Sequence, residues 1–363
     1  MKLNKLIVAA AGSGKTWHLV DEALSCPTEK ILITTYTQAN SDEIRKLFLK
    51  RNGFVPANIK IQPWFSFLLQ HGSRPYQGGK YDREIKGLLL INKASAYMVP
   101  ESNTEKHYFS KEQKIFSDKL AKFVVKCNEV HEGRVIQRIS RIFSRIFVDE
   151  VQDLAGYDLE ILKLFFQSGS SILLVGDPRQ VTYLTHNEPK YKKYSEGLIS
   201  LFIKNECKGL GCEIDDSTHL TSHRCNSNIC AFSDRLFPAY KPTSSAQKVT
   251  TGHDGVFLIR EGEIDCYLET FRPVQLRHSA KSKGIRPDFP VFNFGDAKGL
   301  SFDRVLIFPT SDMQKWLRNK NHELAFQTRA KFYVAITRAR YSVGIVDNFR
   351  DTETIPGVGK WGN

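Results

Sequence analysis

The chain has 363 residues, 41% hydrophobic and 25% charged, and its 52 Lys and Arg against 39 Asp and Glu give a net charge of +13. This length allows two or three units with buried cores, and the basic balance favours a polyanionic partner and salt-sensitive binding. No apolar run approaches the roughly 20 residues that span a bilayer, and no signal peptide precedes the first apolar run, so we expect a cytoplasmic protein without a membrane partner.

The first predicted element is a strand over Leu6–Val8, followed by a loop of small residues and a helix-compatible stretch. The loop reads Ala9-Ala10-Ala11-Gly12-Ser13-Gly14-Lys15-Thr16, with Ala9 where the usual pattern has glycine. In such a loop, backbone N–H groups face phosphates, the lysine reaches the β- and γ-phosphates and the hydroxyl binds Mg²⁺. We therefore predict ATP and Mg²⁺ as ligands; the alternative is a Gly/Ser turn with an incidental lysine.

A lysine-rich segment follows, in which apolar residues recur at helical spacing. Phe116, Leu120, Phe123, Val124 and Cys127 occupy positions i, i+4, i+7, i+8 and i+11, with lysines mostly between them. This pattern predicts an amphipathic helix. Its lysine face is expected to be solvated.

Two further apolar strands end in polar residues. Ile146–Val148 leads into Asp149-Glu150-Val151-Gln152-Asp153, and Ile172–Val175 leads into Gly176-Asp177-Pro178-Arg179-Gln180. With a phosphate loop upstream, Asp149 would hold Mg²⁺ and Glu150 would polarise the attacking water. Paired acids after a strand are also ordinary turn residues, which is the alternative.

The order of these segments resembles the superfamily 1 DNA helicases of the UvrD, Rep and PcrA type. That family has a phosphate loop, a DExQ box, a GDxxQ segment, a (Y)R segment, a KGLxFD segment and a VAxTRA segment in this order. Here they correspond to Gly12–Thr16, Asp149–Asp153, Gly176–Gln180, His223-Arg224, Lys298–Asp303 and Tyr333–Arg340. The resemblance therefore extends over nearly the whole chain.

The resemblance implies catalytic roles for two glutamines and two arginines. Gln152 and Gln180 would sense the γ-phosphate and the water. Arg224 and Arg338 would be arginine fingers from the second domain that stabilise charge in the transition state. Considered separately, either arginine could instead be a solvated surface charge.

The same resemblance implies nucleotide contacts further along the chain. Lys298 and Gly299 would bind the nucleotide, and Lys298 and Asp303 would help to couple it to the bound strand. Ser301 replaces the glutamate that is common in this segment. His223 stands where the family has a tyrosine that stacks on adenine.

Contacts with DNA are implied for two aromatic and hydroxyl segments. Tyr36 and Thr37 match the family's LTFTNKAA segment, and Trp64, Phe65 and Ser66 match its TFHSF segment. Aromatic rings can stack on bases, while hydroxyls and backbone N–H groups hold phosphates. The aromatic residues could alternatively be core side chains.

The resemblance also implies the architecture: an α/β fold of two RecA-like parallel-sheet domains with a small helical insertion in the first. We expect the first domain over 1–205, with the insertion at about 66–140, the second over 206–350 and a loose tail over 351–363. Strands are predicted near Val256–Ile259, Val305–Phe308 and Val343–Val346, and the nucleotide is expected between the domains.

Seven cysteines in a chain without a secretion signal are most simply free thiols. Cys207, Cys212, Cys225 and Cys230 form two pairs that could in principle hold zinc, but the spacing within each pair is looser than CxxC. Buried structural thiols are the interpretation that we prefer.

The function implied is an ATP-dependent translocase or helicase that moves 3′-to-5′ on single-stranded DNA or a tailed duplex. The stretch between Arg224 and Lys298 is too short for the large second insertion of full helicases. One alternative is a regulatory subunit whose ATP or DNA state controls a partner nuclease, as in antiviral phage-defence systems of the Gabija type. Another is a degenerate DNA-binding module that does not hydrolyse ATP.

Overall fold

The computed structural model describes residues 3–91, 93–185, 188–319 and 321–362. Its contacts divide the chain into two compact units. The first unit comprises the chain up to Val8, Lys15–Pro178 and Tyr183–Asp215, and the second comprises Ala9–Gly14, Arg179–Thr182 and the chain from Asp216 onward. The boundary lies beyond the predicted position at 205/206, because the strand Cys212–Asp215 pairs with Asn4–Val8 in the first unit.

The first unit is built on a six-stranded parallel sheet with helices between the strands. Its strands are β1 (Asn4–Val8), β2 (Ile31–Thr35), β3 (Ile59–Pro63), β4 (Gly87–Leu89), β5 (Lys114–Phe116), β6 (Arg145–Val148), β7 (Ser171–Gly176) and β8 (Cys212–Asp215). Its helices are α1 (Lys15–Leu24), α2 (Gln38–Asn52), α3 (Trp64–Phe67), α4 (Thr104–Tyr108), α5 (Ser117–Val130), α6 (Arg134–Ile142), α7 (Tyr157–Gln167) and α8 (Ile199–Glu206).

The strand order in this sheet is β3-β2-β6-β7-β1-β8, and every pairing is parallel. Strand β2 has the sequence ILITT and is buried along its whole length. Central parallel strands are covered on both faces and therefore contain continuous apolar runs, which explains why the strands around β1, β6 and β7 could be predicted.

The predicted insertion lies between β3 and β6 and contains helices α4 to α6 and the two-stranded parallel sheet β4-β5. The amphipathic helix predicted there is α5, except that Phe116, the first residue of the predicted pattern, ends β5 and precedes the helix. Its lysines are more restrained than expected: Lys119 is buried and lies 2.6 Å from Glu188, and Lys122 lies 2.9 Å from Glu101. The face was expected to be solvated because the acidic partners belong to other segments and cannot be assigned from helical spacing.

The second unit contains another six-stranded parallel sheet, of order β13-β12-β14-β15-β11-β16, and a two-stranded parallel sheet, β10-β9. Its strands are β9 (Thr221–Ser222), β10 (Ser244–Ser245), β11 (Gly255–Ile259), β12 (Val274–Arg277), β13 (Val291–Asn293), β14 (Phe302–Phe308), β15 (Ala339–Val346) and β16 (Gly359–Lys360). Its helices are α9 (Ser227–Asp234), α10 (Ile264–Phe271), α11 (Ser311–Arg318) and α12 (Phe326–Ile336). The predicted fold class, α/β with two parallel sheets as in RecA-like domains, is confirmed.

A cluster of aromatic rings lies against β11 in the second unit. The imidazole of His253 is stacked between the rings of Phe257 and Phe271, with 4.0 Å between centroids on either side. Its Nε2 atom lies 3.0 Å from the Tyr267 hydroxyl. Burial, followed by the charge of Arg304, lowers the pKa of His253 to about 4.

The segment expected to be a loose tail contributes to this sheet instead. Strand β16 pairs with β11, and the N–H of Trp361 donates to the carbonyl of Leu258 at 3.1 Å. The Trp361 ring packs on Tyr267 at 4.9 Å between centroids, and Ile355 is buried. Because this segment is rich in glycine, its sequence did not predict a strand. Glycine is required at position 359, because a Cβ there would lie 2.9 Å from the Phe257 ring.

Within the described ranges, no helix combines the length and the apolar character needed to cross a membrane.

Candidate active site

The predicted nucleotide-binding residues of the first unit lie where its parallel strands end. Lys15 begins the helix that follows the phosphate loop after β1, while Asp149 follows β6 and Asp177 follows β7. These three strands are neighbours in the sheet. Because parallel strands end at one edge, the fold brings these side chains together at the position where open α/β sheets bind ligands.

The backbone of the phosphate loop requires glycine at two positions. Gly12 has φ +74° and Gly14 has φ +81°, in the left-handed region that disfavours residues with a Cβ. A Cβ at Gly12 would also lie 2.8 Å from the Cβ of Arg224. The loop 9–14 packs with the second unit, where the N–H of His223 donates to the Gly12 carbonyl at 2.9 Å.

Lys15 is surrounded by acidic groups in the first unit. Its Nζ lies 2.7 Å from Glu150 Oε1 in a largely buried ion pair. Burial acts to lower the pKa of Lys15, but the negative charges of Glu150 and Asp149 outweigh it and leave this pKa raised. The lysine is therefore positively charged and positioned at the loop, as phosphate binding requires.

Thr16 and Asp149 are in direct contact, as expected of two groups that share a metal ion. The Thr16 hydroxyl donates to Asp149 Oδ2 at 3.2 Å, and Asp149 is buried. Burial, with a further contribution from Glu150, raises the pKa of Asp149 to about 6 against the opposing effect of Lys15. A hydroxyl beside a carboxylate suits Mg²⁺, which prefers oxygen ligands.

The backbone of Glu150 adopts a left-handed conformation, with φ 56° and ψ 39°. For a residue with a side chain this costs of order 1–3 kcal/mol, and such strain is found mainly at functional sites. The Glu150 N–H donates to Asp149 Oδ1 at 2.9 Å, and the Gln152 amide donates to the Glu150 carboxylate. These contacts fix the direction of the carboxylate.

Gly176 has a role that the sequence did not reveal. A Cβ at this position would lie 2.2 Å from Gln152 Oε1 and 3.1 Å from a methyl group of Val151. Gly176 therefore makes room for the glutamine that contacts Glu150. The feature of the sequence that could have indicated this role is the position of Gly176 at the start of the GDxxQ segment.

In the second unit, Arg338 and Gln180 are brought together. Arg338 is only 2% exposed, and its Nη2 donates to Gln180 Oε1 at 3.1 Å. Its other guanidinium nitrogens donate to the carbonyls of Val334 and Leu300 at 3.1 and 3.2 Å. Its Nη2 also donates to the Thr337 hydroxyl at 3.3 Å, so four residues fix its orientation. Arg338 is therefore buried and bonded, which rules out the alternative of a solvated surface charge.

Arg224, also in the second unit, is half-buried, and its Nη1 donates to the Thr337 carbonyl at 3.1 Å. The His223 side chain next to it is exposed. Lys298 is half-buried and Gly299 is exposed, with φ +85°, in the turn before β14. Direct contacts of these residues with a nucleotide stay predictions.

The aromatic residues predicted to bind DNA are mostly buried in the first unit. Trp64 is 1% exposed, and its indole N–H donates to Asp158 Oδ1 at 2.7 Å. Phe65 is buried too, and Tyr36 packs edge-on against it at 5.6 Å between centroids. These rings pack as core side chains, so base stacking by Trp64 or Phe65 would require them to be uncovered.

The two hydroxyl residues of these segments are more accessible. Thr37 is half-buried and caps α2, since its side chain accepts a hydrogen bond from the Asn40 N–H at 3.1 Å. Ser66 is exposed. Their contacts with a phosphate backbone stay predictions.

The cysteines are all free thiols. Cys207 and Cys212 belong to the first unit, and Cys225 and Cys230 belong to the second. Over the residues that the structure describes, no cluster of three or more His, Cys, Asp or Glu side chains could hold a metal ion. The structure thus offers nothing in favour of the zinc alternative.

Solved structures similar to this chain include arterivirus nonstructural protein 10, a helicase, with 16% sequence identity, a TM-score of 0.48, and coverage of 96% of this chain and 60% of that one. Arterivirus nonstructural protein 10 in complex with DNA matches with 15% identity, a TM-score of 0.48, and coverage of 95% and 60%. This chain therefore corresponds to 60% of the length of these helicase chains. A search of curated proteins found no match.

The family described as the viral superfamily 1 RNA helicase core domain matches residues 117–347. This range is more than half of the chain and includes the carboxylate pair, the GDxxQ segment and both candidate arginine fingers. The match agrees with the ordered motifs at the level of the superfamily. The chain belongs to the viral superfamily 1 RNA helicase core family.

Proposed function

We propose that the chain is an ATP-driven motor that translocates along single-stranded DNA in the 3′-to-5′ direction. The observation that carries the proposal is the set of contacts made by Lys15 and Thr16 with Glu150 and Asp149. A phosphate-binding lysine, a metal-binding hydroxyl and two carboxylates at one sheet edge form the hydrolytic half of a nucleotide motor. The family supports a helicase role, while the DNA substrate and the direction rest on the resemblance to UvrD-type helicases.

The residues present fit ATP and Mg²⁺. The buried Ser13 hydroxyl and the Gln152 Oε1 atom have no hydrogen-bond partner among the described residues, so both are available to a ligand. The two left-handed glycines of the loop, Gly12 and Gly14, carry no side chain of their own beside its N–H groups. Thr16 and Asp149 would hold Mg²⁺, which supplies charge neutralisation for the phosphates when it is bound.

The ion pair between Lys15 and Glu150 suggests how substrate binding activates the site. A phosphate group would compete with the Glu150 carboxylate for the Lys15 ammonium. Glu150 would then be free to accept a proton from the attacking water on its carboxylate, while Gln152 keeps it oriented. By the resemblance to UvrD-type helicases, Arg338, whose guanidinium is held by four residues of the second unit, would contribute positive charge in the transition state.

The net charge of +13 is consistent with a nucleic-acid partner. The family description names RNA helicases, so RNA is the obvious competing substrate. Both polymers present the same phosphate backbone, and sequence-independent binding relies mainly on that backbone. We retain single-stranded DNA as the proposed track and make RNA an arm of the test.

The test is ATPase activity of the purified chain with no nucleic acid, with single-stranded DNA and with single-stranded RNA of equal length. Stimulation by DNA above that by RNA supports the proposal, and translocation on strands labelled at either end reports the direction. Stimulation by RNA alone would contradict the DNA assignment. Hydrolysis indifferent to both polymers would instead favour the regulatory alternative, in which the nucleotide state controls a partner such as a nuclease in a phage-defence system.

A further inference from the structure

Arg179 is a charged residue in the turn after β7 that is nevertheless only 3% exposed. Its Nη1 donates to Asp234 Oδ1 at 3.3 Å and to the Thr243 hydroxyl at 3.2 Å. Asp234 in turn accepts from the N–H and the hydroxyl of Thr243. Burying an arginine is costly unless its charge is paired, and this arrangement pairs it within the second unit.

Two aromatic rings complete the surroundings of this guanidinium. Its Cζ lies 4.9 Å from the centre of the Tyr333 ring and 5.8 Å from that of Tyr240. Both distances are in the range of favourable cation–π contacts, which strengthen when the cation is desolvated. Arg179 is therefore held by charge, hydrogen bonds and ring contacts at once.

The next residue along the chain is Gln180, which accepts a hydrogen bond from Arg338. Tyr333 lies near the end of α12, and Arg338 follows that helix and bonds to the carbonyl of Val334, one residue after Tyr333. Arg179 thus contacts α12 near its end, and Gln180 contacts Arg338, two residues after that end. Pro178, immediately before them, groups with the first unit instead.

We propose that Arg179 is a positioning residue that anchors the segment 179–182 to the second unit and thereby holds the Gln180 amide against Arg338. The inference rests on the proposed function, in which Gln180 senses the γ-phosphate. Arg179 does not itself contact the nucleotide. Its effect on hydrolysis is transmitted through Gln180.

The first test is a double-mutant cycle on ATP hydrolysis with Arg179→Met, Gln180→Ala and the double variant. Arg179→Met lowers kcat about tenfold, within the range for a residue that acts through another. The KM for ATP changes by less than about twofold, because the contact of Gln180 is needed in the transition state rather than for ground-state binding. The kcat of the double variant is no lower than that of Gln180→Ala alone, because Arg179 has no further effect on hydrolysis once the amide that it positions has been removed.

Arg329→Met is the matched control. Arg329 lies on α12 as well, and its guanidinium is 4.7 Å from the centre of the Phe237 ring, so this variant also removes an arginine–aromatic contact from the same helix. It leaves Gln180 and Arg338 untouched, and kcat should stay near that of the wild type. Multiplied losses in the double variant, or an equal loss in Arg329→Met, would assign Arg179 a merely structural role.

A second measurement does not depend on activity. Hydrogen exchange of the backbone amides of residues 179–182, measured without nucleotide, should be faster in Arg179→Met than in the wild type and unchanged in Arg329→Met. Unchanged exchange in Arg179→Met overturns the inference even if the chain hydrolyses no ATP. If the wild type does not hydrolyse ATP but exchange is faster in Arg179→Met, the proposed function is contradicted. The role of Arg179 in anchoring residues 179–182 is then still supported.

If Arg179→Met does not fold, Arg179→Lys and Thr243→Val replace it in both experiments. Lysine keeps the charge but loses the planar fork that reaches two partners, and valine removes the hydroxyl that accepts from Arg179. Both variants should show the same pattern with smaller amplitude. Wild-type kcat and exchange in both would contradict the proposal.

Discussion

At the scale of single residues, the candidate site is arranged so that opposite charges neutralise one another before substrate arrives. The Lys15–Glu150 pair has both side chains largely buried, at 15% and 11% exposure. Removing one partner of a buried ion pair leaves the other charge uncompensated. Replacing Lys15 and replacing Glu150 should therefore affect ATP binding differently.

We predict that Lys15→Ala and Glu150→Gln both abolish turnover but differ in ATP affinity. Lys15→Ala loses the phosphate-binding charge and should bind ATP weakly. Glu150→Gln should bind ATP at least as well as the wild type, because Lys15 no longer has a competing carboxylate, while kcat falls by about 10²-fold or more through loss of the general base. Fluorescent-nucleotide titration and steady-state ATPase rates measure the two effects.

Glu213→Gln serves as the control for that comparison. Glu213 pairs with Lys5 at 3.3 Å and is 57% exposed, and an exposed ion pair of this kind contributes little. Its kcat and ATP affinity should match those of the wild type. Near-normal hydrolysis by Glu150→Gln would show that another residue polarises the water.

The two loop glycines are predicted to differ in their tolerance of alanine. Gly14→Ala places a Cβ in open space and should cost about 1–2 kcal/mol in the free energy of unfolding, through its left-handed backbone alone. Gly12→Ala should cost more, because its Cβ would also lie 2.8 Å from Arg224 and from the Ser222 hydroxyl. Urea unfolding of the nucleotide-free variants measures the difference. Equal costs would mean that the segment around Arg224 moves aside freely.

At the scale of elements, apolar runs predicted the strands well, since β1, β6 and β7 are central strands whose sequences show their burial directly. The sequence left open whether Trp64 is buried, and it could not reveal that Arg179 is held internally. Each depends on a partner far along the chain: Asp158 for Trp64, and Asp234 and Tyr333 for Arg179. The sequence around an arginine in a turn is the same whether its guanidinium is exposed to solvent or enclosed by other side chains.

The aromatic cluster on β11 predicts a pH dependence of stability. The folded state keeps His253 neutral with a pKa of about 4, whereas the unfolded chain titrates near 6.5. A lowered folded pKa stabilises the protein above pH 6.5, and this contribution is lost as the pH falls towards 4. The loss should reach up to about 3 kcal/mol, since each pKa unit corresponds to about 1.4 kcal/mol.

Urea unfolding between pH 7.5 and pH 4 measures this contribution. His253→Phe preserves the stacked ring without a titrating group, so its stability should vary less with pH over the same interval. Identical pH profiles for the wild type and His253→Phe would exclude His253 as the source.

At the scale of the whole molecule, short insertions separate the motor motifs of this chain. The insertion between β3 and β6 is small, and the stretch between Arg224 and Lys298 forms part of the second sheet and its helices. Each base-pair step costs about 1.4 kcal/mol to open, so a motor with few duplex contacts depends on fraying or on a partner.

We predict that the isolated chain hydrolyses ATP faster with single-stranded DNA yet separates a tailed duplex of several tens of base pairs poorly. DNA binding should weaken steeply between low and physiological salt, because phosphate contacts release counterions. Strand-separation assays run beside ATPase and salt titrations test both statements. Efficient unwinding by the chain alone would contradict the expectation that it depends on fraying or on a partner to open a duplex.

The pairing of β16 with β11 has a consequence for shortened versions of this chain. Removing residues 351–362 would strip the outermost strand from the second sheet and uncover both the hydrogen-bonding edge of β11 and the rings that Trp361 covers. Unpaired, apolar sheet edges recruit strands from other molecules. Trimmed forms should therefore self-associate, even though every motor motif would still be present in them.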